Sequence, residues 1–236
     1  MPFFALTGSW YASLIIILPG ILIALYAQMR VKSAFAKYSR VRSNNNFSGA
    51  EAAREILDSE GLSDVTIEET SGALTDHYDP RQRVLRLSNE VYHGRSVASL
   101  GVAAHEAGHA IQHARKYLPI MARTGIFPLV AIGSNLWMPV AILGIILSAG
   151  QSSIFFDIAI MLLSGVIVFQ VITLPIEFNA SRRALALLTE KGIITSSEHK
   201  PTGAVLNAAA LTYLAALLLS ILHLVRLLVL RNQRDD

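Results

Sequence analysis

A mainly α-helical membrane protein, with about four transmembrane helices and one small α+β module in water, is the fold class this sequence predicts. Three observations predict it. Of 236 residues, 53% are hydrophobic and only 16% charged, against about 25% charged in an ordinary soluble domain. Asp, Glu, Lys and Arg are missing altogether from residues 1–29, 124–156, 158–176 and 201–225. Each run is long enough to cross a hydrocarbon core of about 30 Å as a helix. The charged residues gather instead between them, above all in 30–120, where helix-like and strand-like patterns alternate. The net charge of +3 and isoelectric point near 9.3 resemble a nucleic-acid signal. The basic residues flank the apolar runs, however, so they are read as topology determinants and lipid-headgroup contacts, with no nucleic-acid partner. Cysteine is absent, which excludes a disulfide framework, a thiolate ligand and a cysteine nucleophile.

Residues 1–29 form the N-terminal transmembrane anchor. The apolar run from Trp10 to about Gln28 has no preceding Lys or Arg and no small-residue cleavage pattern, so an uncleaved anchor is expected. Trp10, Tyr11 and Tyr26 stand near its ends as interfacial aromatics do, and Pro19-Gly20 suggests a kink in mid-span. Arg30, Lys32, Lys37, Arg40 and Arg42 follow at once. That asymmetry places the N-terminus outside and the segment 30–120 in the cytoplasm.

The 30–120 segment is the water-soluble module. Ser48 and Glu51 make a capping box that opens a helix of about a dozen residues, with Ala50, Ala53, Ile56 and Leu57 on one side and Gly61 closing it. Asp64 to Thr70 reads as a strand. Leu74–Tyr78 and Arg83–Ser88, joined through Asp79-Pro80-Arg81-Gln82, read as a hairpin. Ser88, Asn89 and Gly94 break the chain. A helix then runs from about Ser96 through His113 to Tyr117 and stops near Pro119, its small apolar residues implying packing on most sides. A transmembrane hairpin occupies 121–175, its spans (about Ile126–Ala149 and Ile154–Leu174) joined by Gly150-Gln-Ser-Ser153. The chain is expected back in the cytoplasm by about Pro175. Residues 176–202 are a cytoplasmic segment, helical over 177–190, with Gly192 and Pro201-Thr-Gly203 bracketing a loop. A last transmembrane helix, about Val205–Leu230, and a tail complete 203–236.

The chemistry is carried by His105-Glu106-Ala107-Gly108-His109, the H-E-x-x-H pattern. Positions four apart on a helix share a face, so the two imidazoles can grip one cation, for which zinc is the fit, while Glu106 on the adjoining side reaches water rather than metal. That layout suits a metalloprotease in which the cation acidifies water and a carboxylate takes its proton. Buried among small apolar residues, these side chains are costly unless paired with a cation or with each other. A catalytic zinc takes three protein ligands, and Glu177, delivered by the hairpin, is the candidate for the third. The alternative is an interfacial carboxylate paired with Arg182 or Arg183. His113, a further turn along, would need a distorted helix to join both ligands and is read as a packed or orienting histidine. His77 and His93 read as partly exposed loop histidines, and His223 with Arg226 as side chains snorkelling from the last span. Two other classes have weaker support. A non-proteolytic zinc-binding scaffold or chaperone has no need of Glu106, and a transporter is disfavoured by spans almost free of ionisable groups.

Taken together, His105-Glu-Ala-Gly-His109, Leu174-Pro-Ile-Glu-Phe-Asn-Ala-Ser181, and the blocks Leu74–Pro80 and Tyr92–Ser96 make the chain resemble the YugP-type membrane zinc metallopeptidases of bacteria. The likeness covers nearly the whole chain and is more distant to HtpX-like and CAAX prenyl proteases. It implies a zincin-like module, one Zn2+ per chain on His105, His109 and Glu177, and Glu106 as catalytic base. It further implies a multi-pass protein of the bacterial inner membrane that cleaves protein or peptide substrates at the cytoplasmic face. One departure stands out. The wider group commonly has an aspartate four residues after the glutamate, orienting a ligand histidine; here that position is Ser181.

Overall fold

The computed structural model describes the backbone of residues 2–147 and 154–235, and the side chains of 13–147 and 154–232. The expected connection at 150–153 lies outside these residues, as do the side chains of Trp10 and Tyr11. The chain is mainly helical, with four helices long and apolar enough to cross a membrane and one three-stranded sheet. It divides into two units. One comprises Met1–Ala27, Ala122–Thr173 and Thr212–Asp236; the other comprises Gln28–Met121 and Leu174–Leu211.

The first unit takes its helices from α1 (Pro2–Tyr38), α5 (Leu118–Leu147), α6 (Ile154–Glu190) and α7 (Ser196–Asp235). Phe156, Ala159, Leu163 and Val166 of α6 pack with Ala141 of α5 and with Leu227 and Leu230 of α7. Around this narrow core most large apolar side chains, among them Ile15, Leu129, Ile146 and Met161, are exposed. Such a surface is stable only under lipid. Two hydroxyls of α6 are satisfied within their own helix: Ser164 donates to the Ile160 carbonyl at 2.7 Å and Thr173 to that of Phe169 at 2.8 Å, which spares apolar surroundings an open donor.

The second unit contains α2 (Gly49–Ser59), β1 (Thr66–Thr70), β2 (His77–Asp79), β3 (Val84–Ser88), α3 (Asn89–Tyr92) and α4 (Val97–Ala114), with parts of the longer helices. The capping box is present: Ser48 Oγ accepts from Glu51 N, and the Glu51 carboxylate accepts from Ser48 N. Gly61, at φ 74°, takes the left-handed turn past the end of α2, a conformation that any Cβ would strain. The buried face of α2 is Ala52, Ala53, Ile56 and Leu57; Ala50 is only partly covered. The hairpin forms as expected, with Tyr78 opposite Leu85. Asp79 Oδ1 accepts from Arg81 N at 2.8 Å and from Gln82 N, the local bonding that makes Asp a turn residue. The order is β1-β3-β2, with β1 parallel to β3. The missing alternation at Val84, Leu85 and Leu87 follows from this: β3 is the central strand, and all three residues are buried.

Three local expectations are corrected. The H-E-x-x-H helix ends at Ala114, not Tyr117, because Lys116 turns to φ 50°; Pro119 then stands in the first turn of α5, where its missing N–H costs nothing. The span ending near Leu174 and the helix over 177–190 are not separate elements, since α6 runs unbroken through Pro175 for 37 residues. Nor is Pro201-Thr-Gly203 part of a loop: α7 begins at Ser196, where Glu198 accepts from Thr195 N and Asn44 N, each at 2.7 Å. Pro201, the sixth residue of α7, lies inside the helix and costs it the bond to the carbonyl four residues back.

Candidate metal centre

Helix α4 opens at Ser96, whose hydroxyl accepts from Ser99 N. It is buried along most of its length by the core that includes Ile56, Leu57, Leu85 and Leu87. One turn apart on it, the rings of His105 and His109 meet edge-on with centroids 4.7 Å apart. Glu177 arrives from α6. Its Oε2 lies 3.2 Å from His105 Nε2 and 3.5 Å from His109 Nε2, and one ligand atom from each residue falls within 4.8 Å of the others. Gly108 makes the approach possible: a Cβ there would stand 3.0 Å from the Ala180 carbonyl oxygen and 3.3 Å from its Cα. Gly108, one of the two unnamed positions of the motif, is therefore where α6 lies close against α4.

The outer nitrogen of each ring has a polar partner. Ser181 Oγ is 3.1 Å from His105 Nδ1, and Gln112 Oε1 is 3.0 Å from His109 Nδ1. Ser181 thus occupies, by contact as well as by count, the place expected of an orienting side chain. The Gln112 amide faces the Ile176 carbonyl at 2.8 Å. A carbonyl cannot donate, so the atom there is the NH2 group, and the oxygen is left facing His109. In its neutral form His109 then carries its proton on Nδ1 and aims a lone pair from Nε2 towards the Glu177 carboxylate. Two electron-rich atoms in a buried site repel unless they share a proton or a metal ion. Two imidazole nitrogens and one carboxylate oxygen are also the number and type of ligand that a catalytic zinc takes. The residues present fit that ion.

Glu106 points to the neighbouring side. Its Oε2 accepts from the backbone N–H of Tyr78 at 3.1 Å, so the edge strand β2 touches it directly. Burial lifts the Glu106 carboxyl above the usual carboxylate range; His109 and His105 pull it down, and Glu177 and Asp76 add to the rise. For His109, burial works against the charged ring, but the bond to Glu177 and the charges of Glu106 and Glu177 prevail and raise its pKa.

The other histidines fall outside this group. His113 is exposed rather than packed; its Nδ1 lies 3.0 Å from the Tyr78 hydroxyl. His77 Nδ1 contacts the Thr75 carbonyl and His93 Nε2 contacts Glu69, both in exposed positions. His223 sits in the first unit against Trp137, ring centroids 5.0 Å apart. Arg183, a suggested partner for Glu177, donates to Asn179 Oδ1 at 2.8 Å. An open cavity of about 640 Å³, lined by Arg40, Arg42, His93 and Arg95 among others, contains none of the cluster residues. Sequence reading missed Gln112 and Asn179. The available signal was a glutamine three residues past His109 in a helix of small apolar side chains.

The comparisons with known proteins agree with this chemistry. A family model described as "Putative neutral zinc metallopeptidase" matches residues 13–232. The "Putative membrane protease YugP" of Bacillus subtilis (strain 168) is 46% identical over 215 residues, which cover 91% of this chain and 94% of that protein. No solved structure matches the chain.

Proposed function

The chain belongs to the neutral zinc metallopeptidase family, and from that premise we propose that it is a membrane-embedded zinc endopeptidase acting at the cytoplasmic face of the bilayer. One observation carries the reading: the His105, His109 and Glu177 ligand atoms converge within 4.8 Å beside a carboxylate that belongs to none of them. These three residues hold the ion. Zinc bound there supplies Lewis acidity, bringing the pKa of water towards neutrality and polarising a carbonyl.

The chain's own groups supply the rest. Glu106 takes the proton from the attacking water and passes it to the leaving amine. A carboxylate beside the ligands, and bound to none of them, can take up that proton and return it. Tyr78 N–H holds Oε2 in position. Because that N–H is turned out of the ladder towards Glu106, the outer edge of β2 borders the reacting centre. A substrate segment lying extended beside this edge would have its scissile carbonyl within reach of α4, the Tyr78 N–H being already taken by Glu106. The cytoplasmic orientation rests on Arg30, Lys32, Lys37, Arg40 and Arg42 following a charge-free first span. The partners are then the bilayer and protein or peptide substrates.

Purified protein should carry about one zinc per chain. Glu106→Gln should retain the metal yet lose cleavage of a casein-like substrate; cleavage at the parent rate would sink the mechanism. The orientation has its own test. With no native cysteine, a single Lys191→Cys should react with a membrane-impermeant maleimide only in inverted vesicles, and labelling of intact cells would reverse the topology.

A further inference from the structure

Gln112 is fully buried, and it lies outside both the ligand set and the base. Its NH2 group has two acceptors, the Ile176 carbonyl at 2.8 Å and Asn179 Oδ1 at 3.0 Å. Asn179 Oδ1 is fixed as an acceptor in turn, because Arg183 Nε donates to it at 2.8 Å. A guanidinium has no lone pair to offer, so the polarity of the whole row is set from its outer end. Arg183 and Gln112 both donate to Asn179 Oδ1, and Gln112 Oε1, left as an acceptor, takes the Nδ1–H of His109. Every member except Gln112 and His109 lies on α6, the helix that also delivers Glu177.

We infer that Gln112, oriented by Asn179 and Arg183, is a positioning residue that locks His109 as the Nδ1–H tautomer with its Nε2 lone pair presented to the metal. This rests on the zinc reading proposed above. A histidine ligand binds through a bare nitrogen, and the hydrogen bond at the other nitrogen decides which one is bare. His105 has a hydroxyl for this purpose, and a hydroxyl both donates and accepts; Ser181 therefore holds the ring without choosing its tautomer. Gln112, with its amide polarity fixed, does choose. The row also ties ligand delivery together, since the helix that brings Glu177 is the helix that orients the partner of His109.

The test uses the full-length protein in detergent and reads zinc affinity by competition with chelators of graded strength. The visible spectrum of the cobalt-substituted form and the thermal unfolding of the metal-free form are recorded alongside. Gln112→Met keeps the volume and removes both ends of the row. It should weaken zinc binding about 10–100-fold, the usual cost of losing such a partner, and alter the cobalt bands, while the metal-free protein unfolds near the parent temperature. Asn179→Asp keeps an acceptor for both donors and should bind like the parent; Asn179→Leu should fall between the parent and Gln112→Met. Parent-like affinity in Gln112→Met overturns the inference, as does an Asn179→Asp no better than Asn179→Leu. The Asn179 pair decides it should Gln112→Met fail to fold. A parent that binds no zinc at all would instead refute the metal reading, and this inference with it.

Discussion

Gly108→Ala isolates the closest approach between the two helices that build the site. Two effects oppose each other. Replacing a mid-helix glycine by alanine favours α4 by about 1 kcal/mol. The new methyl, however, meets backbone: 3.0 Å to the Ala180 oxygen, 3.3 Å to its Cα and 3.5 Å to its carbonyl carbon. Backbone cannot rotate away as a side chain can, so α6 must retreat by a few tenths of an ångström, and overpacking of this kind costs about 1–3 kcal/mol. The net effect on the metal-free fold is thus from roughly nothing to about 2 kcal/mol of destabilisation. The effect on zinc should be larger in proportion. Glu177 is one turn from Ala180, and metal–ligand distances tolerate only about 0.2 Å, less than the required retreat. We expect zinc affinity to fall about tenfold, equivalent to about 1.4 kcal/mol. Gly101→Ala is the control. It has the same helix and the same propensity gain, but its nearest contact, Thr202 Cγ2 at 3.0 Å, belongs to α7 and not to the helix that carries Glu177, so zinc binding should be unchanged. Chelator competition and denaturant unfolding of both variants decide the matter. If Gly108→Ala binds zinc like the parent and is stabilised as much as Gly101→Ala, the close approach does not position Glu177.

Further outcomes are expected. Glu177→Ala should lose bound zinc while the module stays folded, read by metal analysis and circular dichroism; full zinc occupancy would remove Glu177 from the site. Leu85→Ala, at a fully buried position of the central strand, should cost about 2–5 kcal/mol in denaturant unfolding, whereas Leu118→Ala at an exposed position should cost far less. Ser48→Ala removes the cap of α2 and should cost about 1 kcal/mol. The same box sets a pH dependence. Glu51 is held below its ordinary pKa, first by the Ser48 N–H. Its contribution is complete above the unfolded value near about 4.3, and is lost as pH falls through the lower folded value. Glu51→Gln should accordingly flatten the acid limb of the stability profile.

What the sequence determined by itself were the features that depend on neighbours along the chain. Charge-free runs specify spans because burial of charge in hydrocarbon is prohibitive at any tertiary arrangement. The capping box at Ser48 and Glu51, the Asp79 turn and the helical spacing of His105 and His109 are likewise local geometry, and each appears as read. Glu177 was legible as the carboxylate that an apolar hairpin returns to the chain, with pairing to Arg182 or Arg183 as the open alternative. Only the tertiary structure decided the rest. That β1 pairs parallel with β3, making β3 central, depends on which edges meet in space, and a short run buried on both faces carries no periodicity to announce it. That α6 continues through Pro175 depends on packing that outweighs one missing N–H. Gln112 and Asn179 are 67 residues apart in sequence, so no local pattern links them; they meet because Gly108 lets α6 lie against α4. The motif places two imidazoles and a carboxylate on one helix, and the crossing of two helices brings Glu177, Ser181 and Asn179 to them.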